Sequence, residues 1–325
     1  MKLVFMGTPN EVLPVMDGLM SSGHEVLAVY TRPDRPTGRG RKLLPPPLKA
    51  YAATKGIRVF QPASLASPSV AEELASLGPK ALVVAAFGRK IPTELLALAP
   101  LGAINIHPSL LPRYRGPSPV ITTVLEGNTI TGVTVMGLDD GMDTGPILAQ
   151  QETRIVPGET AGDLTRRLFE IGAELLAKTL PRLENGEITP MQQKESDASL
   201  TRLYVRADGE INWSLSAEVL ERHVRAFDPW PGCFTYWRGS HLKIIRAQTI
   251  KSDRTCKEEG LVIPAKIGDN MAAGVVTRDG VLGLQEVQLQ GRKRLPIAQF
   301  ILGQKGFLGA RLGREQATPR RQAPP

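Results

Sequence analysis

The 325-residue chain is 42% hydrophobic and 22% charged, with a net charge of +8. That is an ordinary globular composition for about two domains, and no apolar run approaches the roughly 18 residues that a membrane helix needs. The opening MKLVFMGTPN meets a Gly-Thr-Pro turn too early for a secretory leader, so a cytoplasmic protein is expected, and Cys233 and Cys256 lack metal-ligand spacing, so no metal is expected.

Residues 2–7 (KLVFMG) read as a first strand ended by Gly7. Residues 10–23 read as a helix, with Asn10 as its N-cap and Gly23 as its stop. Further strands are predicted over 25–31, 58–60, 81–87, 102–107, 131–139 and 146–155, with helices over 69–78 and 120–127. Nearly continuous apolar strands alternating with helices predict a Rossmann-like, mostly parallel sheet covered on both faces. Ligands of such sheets lie beyond the carboxyl ends of the strands. A long amphipathic helix is predicted over 159–184.

This α/β N-terminal domain is taken as residues 1–188, followed by a polar linker, 189–207. The next part, 208–312, changes character. After a helix over 216–227 come strand-like runs at 233–237, 241–248, 260–268, 272–277, 281–291 and 295–303. Their spacing predicts a small OB-like β-barrel. The polar, proline-rich tail, 313–325, is expected to be disordered. Residues 1–207 hold 22 Lys/Arg against 20 Asp/Glu, whereas 208–325 hold 18 against 12. The C-terminal part thus carries most of the positive excess, which favours a polyanionic partner. The sequence has no GxGxxG fingerprint after its first strand, no P-loop and no GxSxG elbow, which disfavours a nicotinamide dehydrogenase or a serine hydrolase.

Two loops concentrate chemistry. In NIHPSLLP (105–112), Asn105 and His107 are two apart on a strand and should face one side. An amide can donate to a developing oxyanion, and an imidazole can move a proton near neutral pH. In GLDDGMDTGPIL (137–148), three carboxylates, Asp139, Asp140 and Asp143, lie among glycines. If this turn leaves the carboxyl end of a strand beside the one bearing His107, one carboxylate can orient the imidazole. No serine or cysteine nucleophile accompanies the group, which suits direct transfer of an acyl group to an external amine. A third stretch, RPDRPTGRGRK (32–42), sets basic residues among glycine and proline, a composition not expected to pack as helix or strand.

NIHPSLLPRYRG (105–116) and GVTVMGLDDGMDTGPIL (132–148) resemble the folate-dependent formyltransferases. MKLVFMGTP, TRPDRPTGRGRKLLPPPLK (31–49) and RAFDPWPG (225–232) are similar to the members that act on methionyl-tRNA. The resemblance implies formyl transfer from 10-formyltetrahydrofolate to the α-amine of initiator methionyl-tRNA, by a monomeric protein. It implies Asn105 as oxyanion donor, His107 as base or acid, and Asp143 as its supporting carboxylate. The folate would be lined by Ser109, Leu110, Leu111 and Pro112, with Phe87, Gly88 and the backbone of Asp139, Asp140 and Gly141 near the pterin. Arg35, Arg39, Arg41 and Lys42 would bind the tRNA acceptor stem. Lys243, Arg246, Arg292 and Lys293 are candidates for phosphate contact from the C-terminal domain. Two positions depart from the family pattern: Asn10-Glu11 after the first turn, and Ile121 where a polar residue is usual. The competing readings are an amino-sugar or glycinamide ribonucleotide formyltransferase, and a non-catalytic tRNA-binding protein on the same fold.

Overall fold

The computed structural model describes residues 1–37, 42–250, 258–268 and 270–314. The chain divides into two compact units, one built mainly from Met1–Thr123, Asn128–Pro157 and Asp163–Leu203, the other mainly from Tyr204 onward.

The first unit is organised by a seven-stranded sheet. Its strands are β1 (Lys2–Gly7), β2 (Glu25–Tyr30), β5 (Arg58–Phe60), β6 (Ala81–Ala85), β7 (Ala103–His107), β8 (Ile130–Gly137) and β9 (Ile147–Arg154). Two short strands, β3 (Arg35–Thr37) and β4 (Lys42–Leu44), pair separately as an antiparallel ribbon. The basic stretch therefore does form strand at its two flanks, where Arg35 pairs with Leu44 and Thr37 with Lys42.

The order across the sheet is β5-β2-β1-β6-β7-β8-β9. Pairings from β5 through β7 are parallel, whereas β7–β8 and β8–β9 are antiparallel. The apolar strands bury two cores. Leu3, Phe5, Val83, Ile104 and Ile106 belong to the one that includes Leu176 and Leu180. Val4, Met6, Leu82, Val84 and Ala103 belong to the other. Burial on both faces is what near-continuous apolar strands require.

The helices of this unit are α1 (Leu13–Ser21), α2 (Pro47–Thr54), α3 (Pro68–Leu77), α4 (Thr93–Leu96), α5 (Pro119–Leu125) and α6 (Ala161–Glu184). Asn10 does not cap α1: it opens a separate 3-10 turn, and the N-cap position falls on Val12. Gly23 follows α1 at φ 77, in the left-handed region where a helix stop suits glycine.

Residues 189–203, expected within the linker, belong to the first unit. Met191 exchanges two backbone hydrogen bonds with Ile147, at 2.8 and 2.9 Å. Arg115 exchanges two more with the segment, donating to Ser199 and accepting from Thr201, both at 2.8 Å. The segment is a strap over the two chemistry-bearing loops.

The second unit holds helix α7 (Ala217–Ala226), six strands and helix α8 (Ile297–Gly303). The strands are β10 (Cys233–Trp237), β11 (Ser240–Ile250), β12 (Val262–Ile267), β13 (Asn270–Val276), β14 (Val281–Leu289) and β15 (Leu295–Pro296). All pairings are antiparallel along β10-β11-β14-β13-β12, with β15 also on β14. Among the described residues no pairing closes β12 onto β10. The strand expected over 295–303 is two residues of strand followed by α8, whose Ile297 and Phe300 are buried at helical spacing. Cys233 is buried on β10, where loss of solvent pushes its thiol up to about 12. Cys256 lies outside the described residues.

At the end of the chain Arg314 pairs with Glu210 at 2.6 Å, so the first residues of the expected tail are held. Residues 315–325 lie outside the described residues.

Candidate active site

The order of the sheet reverses direction between β1 and β6, and a crevice opens where strands on either side turn opposite ways. Thr8, just beyond β1, donates its hydroxyl to the Phe87 carbonyl beyond β6 at 3.3 Å. Arg32, just past β2, donates Nε to the same carbonyl at 3.2 Å and its guanidinium to the Gly88 carbonyl. Gly88 stands at φ 67. The Phe87 ring is 2% exposed and packs with the second core. It can floor a site but cannot line an open one.

One strand over, β7 alternates. Ile104 and Ile106 enter the first core, so Asn105 and His107 face the opposite side. Asn105 is half-buried, and among the described residues its amide takes no hydrogen-bond partner. His107 is 4% exposed. Its Nε2 donates to the Tyr114 carbonyl at 2.9 Å. Its Nδ1 lies 3.6 Å from Asp143 Oδ2.

The turn bearing Asp143 does leave the carboxyl end of a strand beside β7, but from the opposite end of the sheet. β8 runs antiparallel to β7, with Gly137 opposite Ile104 and Thr134 opposite His107. The loop after β8 therefore starts beside the amino end of β7, where Leu138 N–H donates to the Ala103 carbonyl at 2.8 Å. It folds back along the strand to bring Asp143 to His107.

The turn also separates the three carboxylates. Asp139 accepts from the Gly141 N–H at 3.1 Å and the Thr144 hydroxyl at 2.7 Å, so it shapes the loop. Asp140 accepts from the Thr93 hydroxyl at the start of α4. Asp143 alone faces the imidazole. Its Oδ2 also accepts the Gly116 N–H at 2.8 Å, and its backbone is held at φ 55.

At 3.6 Å the carboxylate is beyond hydrogen-bond reach of the ring. The ring is oriented by the Tyr114 carbonyl, and Asp143 acts on it as a nearby negative charge.

The SLLP residues divide. Ser109 is fully buried and donates to the Arg113 carbonyl at 2.7 Å. Leu111 is 3% exposed and packs with Met136 and Ile147. Leu110 and Pro112 are partly exposed. Of the residues expected to line a ligand, Ser109 and Leu111 instead build the loop that holds it. Sequence reasoning passed over Arg115, 3% exposed, whose Nη1 lies 2.9 Å from Glu195. An arginine three residues past Pro112, directly before Gly116, was the available signal.

The basic loop is anchored at its base. Asp34 accepts from Lys49 at 2.8 Å and from Gln61 at 2.8 Å, and these bonds, Lys49 first, hold its carboxyl below the usual range. Arg35 is exposed on β3. Arg39 and Arg41 lie outside the described residues, and Lys42 starts β4.

On the second unit, Lys243 pairs across with Gln288 and Arg246 with Glu286, because a bulge absorbs Ile245. Gln288 and Glu286 are two apart on β14, so the bulge brings Lys243 and Arg246, both exposed, to one face. Arg292 and Lys293 are exposed in the turn after β14. Lys243 also lines a cavity of about 250 Å³ with Arg206, Trp230, Phe234 and His241. His241 stacks on Phe234 at 4.1 Å, and partial burial, then Arg206 and Lys243, hold its imidazole below the usual range.

Residues 1–180 match the formyl transferase family and residues 205–305 match the formyl transferase C-terminal domain. The chain belongs to the formyl transferase family. Among curated relatives, a methionyl-tRNA formyltransferase of Chloroflexus aurantiacus is 44% identical over 306 residues, covering 93% of this chain and 97% of the relative. Another, from Roseiflexus castenholzii, is 44% identical over 315 residues, covering 96% and 99%. Among solved structures, HypX from Aquifex aeolicus in complex with tetrahydrofolic acid superposes with a TM-score of 0.64 at 20% identity. That match covers 92% of this chain and 46% of HypX, and shows a shared fold.

Proposed function

We propose that the protein transfers a formyl group from 10-formyltetrahydrofolate to the α-amino group of initiator methionyl-tRNA. The observation that supports it best is the placing of an Asn105 amide, without a hydrogen-bond partner among the described residues, beside the couple of buried His107 and half-buried Asp143, in a chain similar along nearly its whole length to methionyl-tRNA formyltransferases. The folate donor, when bound, supplies the formyl carbon. Gly88, Leu110, Pro112 and the backbone of the 139–141 turn are the residues proposed to hold it, over a floor that includes Phe87.

The chemistry then follows from the ring's two nitrogens. Nε2 keeps its proton on the Tyr114 carbonyl, which leaves the Nδ1 lone pair as the base. Nδ1 takes the proton that the attacking α-amine loses as the new C–N bond forms, and the resulting imidazolium faces Asp143. Asn105 donates to the oxygen of the carbon under attack, where negative charge develops. The same Nδ1 proton is available to the departing nitrogen, so the base ends as it began.

Residues 1–188 are assigned the chemistry, with Arg35, Arg39, Arg41 and Lys42 gripping the acceptor stem. Residues 208–312 are assigned phosphate contact through Lys243, Arg246, Arg292 and Lys293. Among the described residues no helix is long and apolar enough to cross a membrane. From its similarity to methionyl-tRNA formyltransferases, we assign a cytoplasmic monomer.

The test compares purified protein, 10-formyltetrahydrofolate and methionyl-tRNA of the initiator and elongator kinds. Formylation of initiator in preference to elongator is expected. Formylation of neither, with tRNA still bound, would replace this reading by that of a binding module.

A further inference from the structure

We propose that Gln193 is a positioning residue for formyl transfer, acting through Asp143. The inference rests on the reading of Asn105, His107 and Asp143 as the reacting set. Gln193 lies on the strap. Its Nε2 donates to the carbonyls of Asp143 at 2.8 Å and Gly145 at 2.7 Å. Its Oε1 accepts from Arg115 Nε at 3.0 Å. Arg115 is in turn fixed by both Glu195 oxygens, at 3.0 and 2.9 Å through Nη1. Every polar hydrogen and the oxygen of this carboxamide are therefore committed.

The arrangement has a purpose that packing alone does not explain. Asp143 holds φ 55, a left-handed backbone that is costly for a residue with a side chain. A single amide that bridges the carbonyls on either side of Thr144 clamps that conformation. The Gly116 N–H fixes the side chain of the same residue through Oδ2 at 2.8 Å. Backbone and carboxylate are thus pinned separately, and the consequence is where the charge stands relative to His107 Nδ1. A glutamate of the same shape would set a carboxylate against two carbonyl oxygens. It would also reverse none of the Arg115 contact, so Gln193→Glu isolates the clamp.

The experiment measures kcat and both KM values for wild type, Gln193→Ala, Gln193→Glu, Asp143→Ala and the Gln193→Ala/Asp143→Ala double variant. Folding is checked by thermal unfolding, and Gln193→Glu carries the test if Gln193→Ala does not fold. We expect kcat of the Gln193 variants to fall about 10- to 100-fold, the size of a misplaced reacting group, with each KM within about twofold. On the Asp143→Ala background the Gln193 change should cost nothing further, because the group it places is gone. Wild-type kcat in Gln193→Glu, or a full additional loss in the double variant, overturns the proposal. Wild-type turnover in Asp143→Ala overturns the reading of the site itself, and so separates the two failures.

Discussion

His107 has a ring nitrogen in each of two unlike surroundings, and that asymmetry decides its chemistry. One nitrogen is spent on a backbone carbonyl and the other looks toward a carboxylate. The sequence placed Asn105 and His107 together because strand periodicity is strict: i and i+2 share a face. Spacing alone could not choose among Asp139, Asp140 and Asp143, since all three are acids in one glycine-rich turn; only the family resemblance pointed to Asp143. That choice is made by short-range bonding to Thr144, Thr93 and Gly116 respectively. Two predictions belong at this scale. Asn105→Ala should lose about a hundredfold or more in kcat, as loss of an oxyanion donor does, while unfolding normally, because its amide has no partner among the described residues to forfeit. Steady-state kinetics beside a melting curve checks both halves. Gly116→Ala should fail differently. Gly116 stands at φ 103, and an added Cβ would lie 3.0 Å from both the carbonyl and the hydroxyl oxygen of Thr201. The strain should cost about 1–3 kcal/mol in a denaturant titration and reduce kcat, because the Gly116 N–H also holds Asp143.

At the scale of elements, apolar runs located all seven strands of the first sheet, yet carried no information on direction. β8 reads as apolar as the parallel strands of the same sheet, and nothing local to it records that it runs the other way. The β11 bulge was equally hidden: Lys243 and Arg246 are an odd number apart, and plain alternation puts them on opposite faces. Only the pairing of Arg246 with Glu286 shows that one residue is skipped. Helix α8 was misread as strand because ILG and IAQF are short apolar runs whose period is ambiguous. The shared face of Lys243 and Arg246 makes a measurable claim. Replacing either by alanine should lower tRNA affinity without changing kcat at saturation, and should reduce the slope of log affinity against log salt by about one per residue. A filter-binding series across salt concentrations reads this directly. An unchanged slope in the double alanine variant would remove this face from the interface.

For the whole molecule, strand and helix patterning together with charge pointed to an α/β fold followed by an antiparallel β part, but not to the strap. Residues 189–203 look like a linker because they are polar and lack periodicity. Met191, Ser199 and Thr201 nonetheless bond their backbone to Ile147 at the start of β9 and to Arg115, a pairing between segments far apart in sequence. The folded chain also sets its own pH limit. His24, His223 and His241 all have pKa values lowered from 6.5, in each case chiefly by burial. The unfolded chain thus binds protons that the folded chain resists, so stability should be level above neutrality and fall as pH drops below about 6.5. Urea midpoints measured from pH 8 to pH 5.5 should show a plateau and then a decline; a rise toward acid would contradict the burial assigned to these rings.

The reversal of β8 has a last consequence, for tolerance to insertions and deletions. Because the segment from Leu138 sets out beside Ala103 and must carry Asp143 to His107 before Pro146 returns to Gly137, it acts as a tether of fixed span, about 10–13 Å along three or four residues of strand. Most surface connections accept a change of one or two residues; this one should not. Deleting a pair anywhere between Leu138 and Met142 would leave the acid short of the ring with every catalytic side chain still encoded, and the protein would fold with its chemistry out of reach.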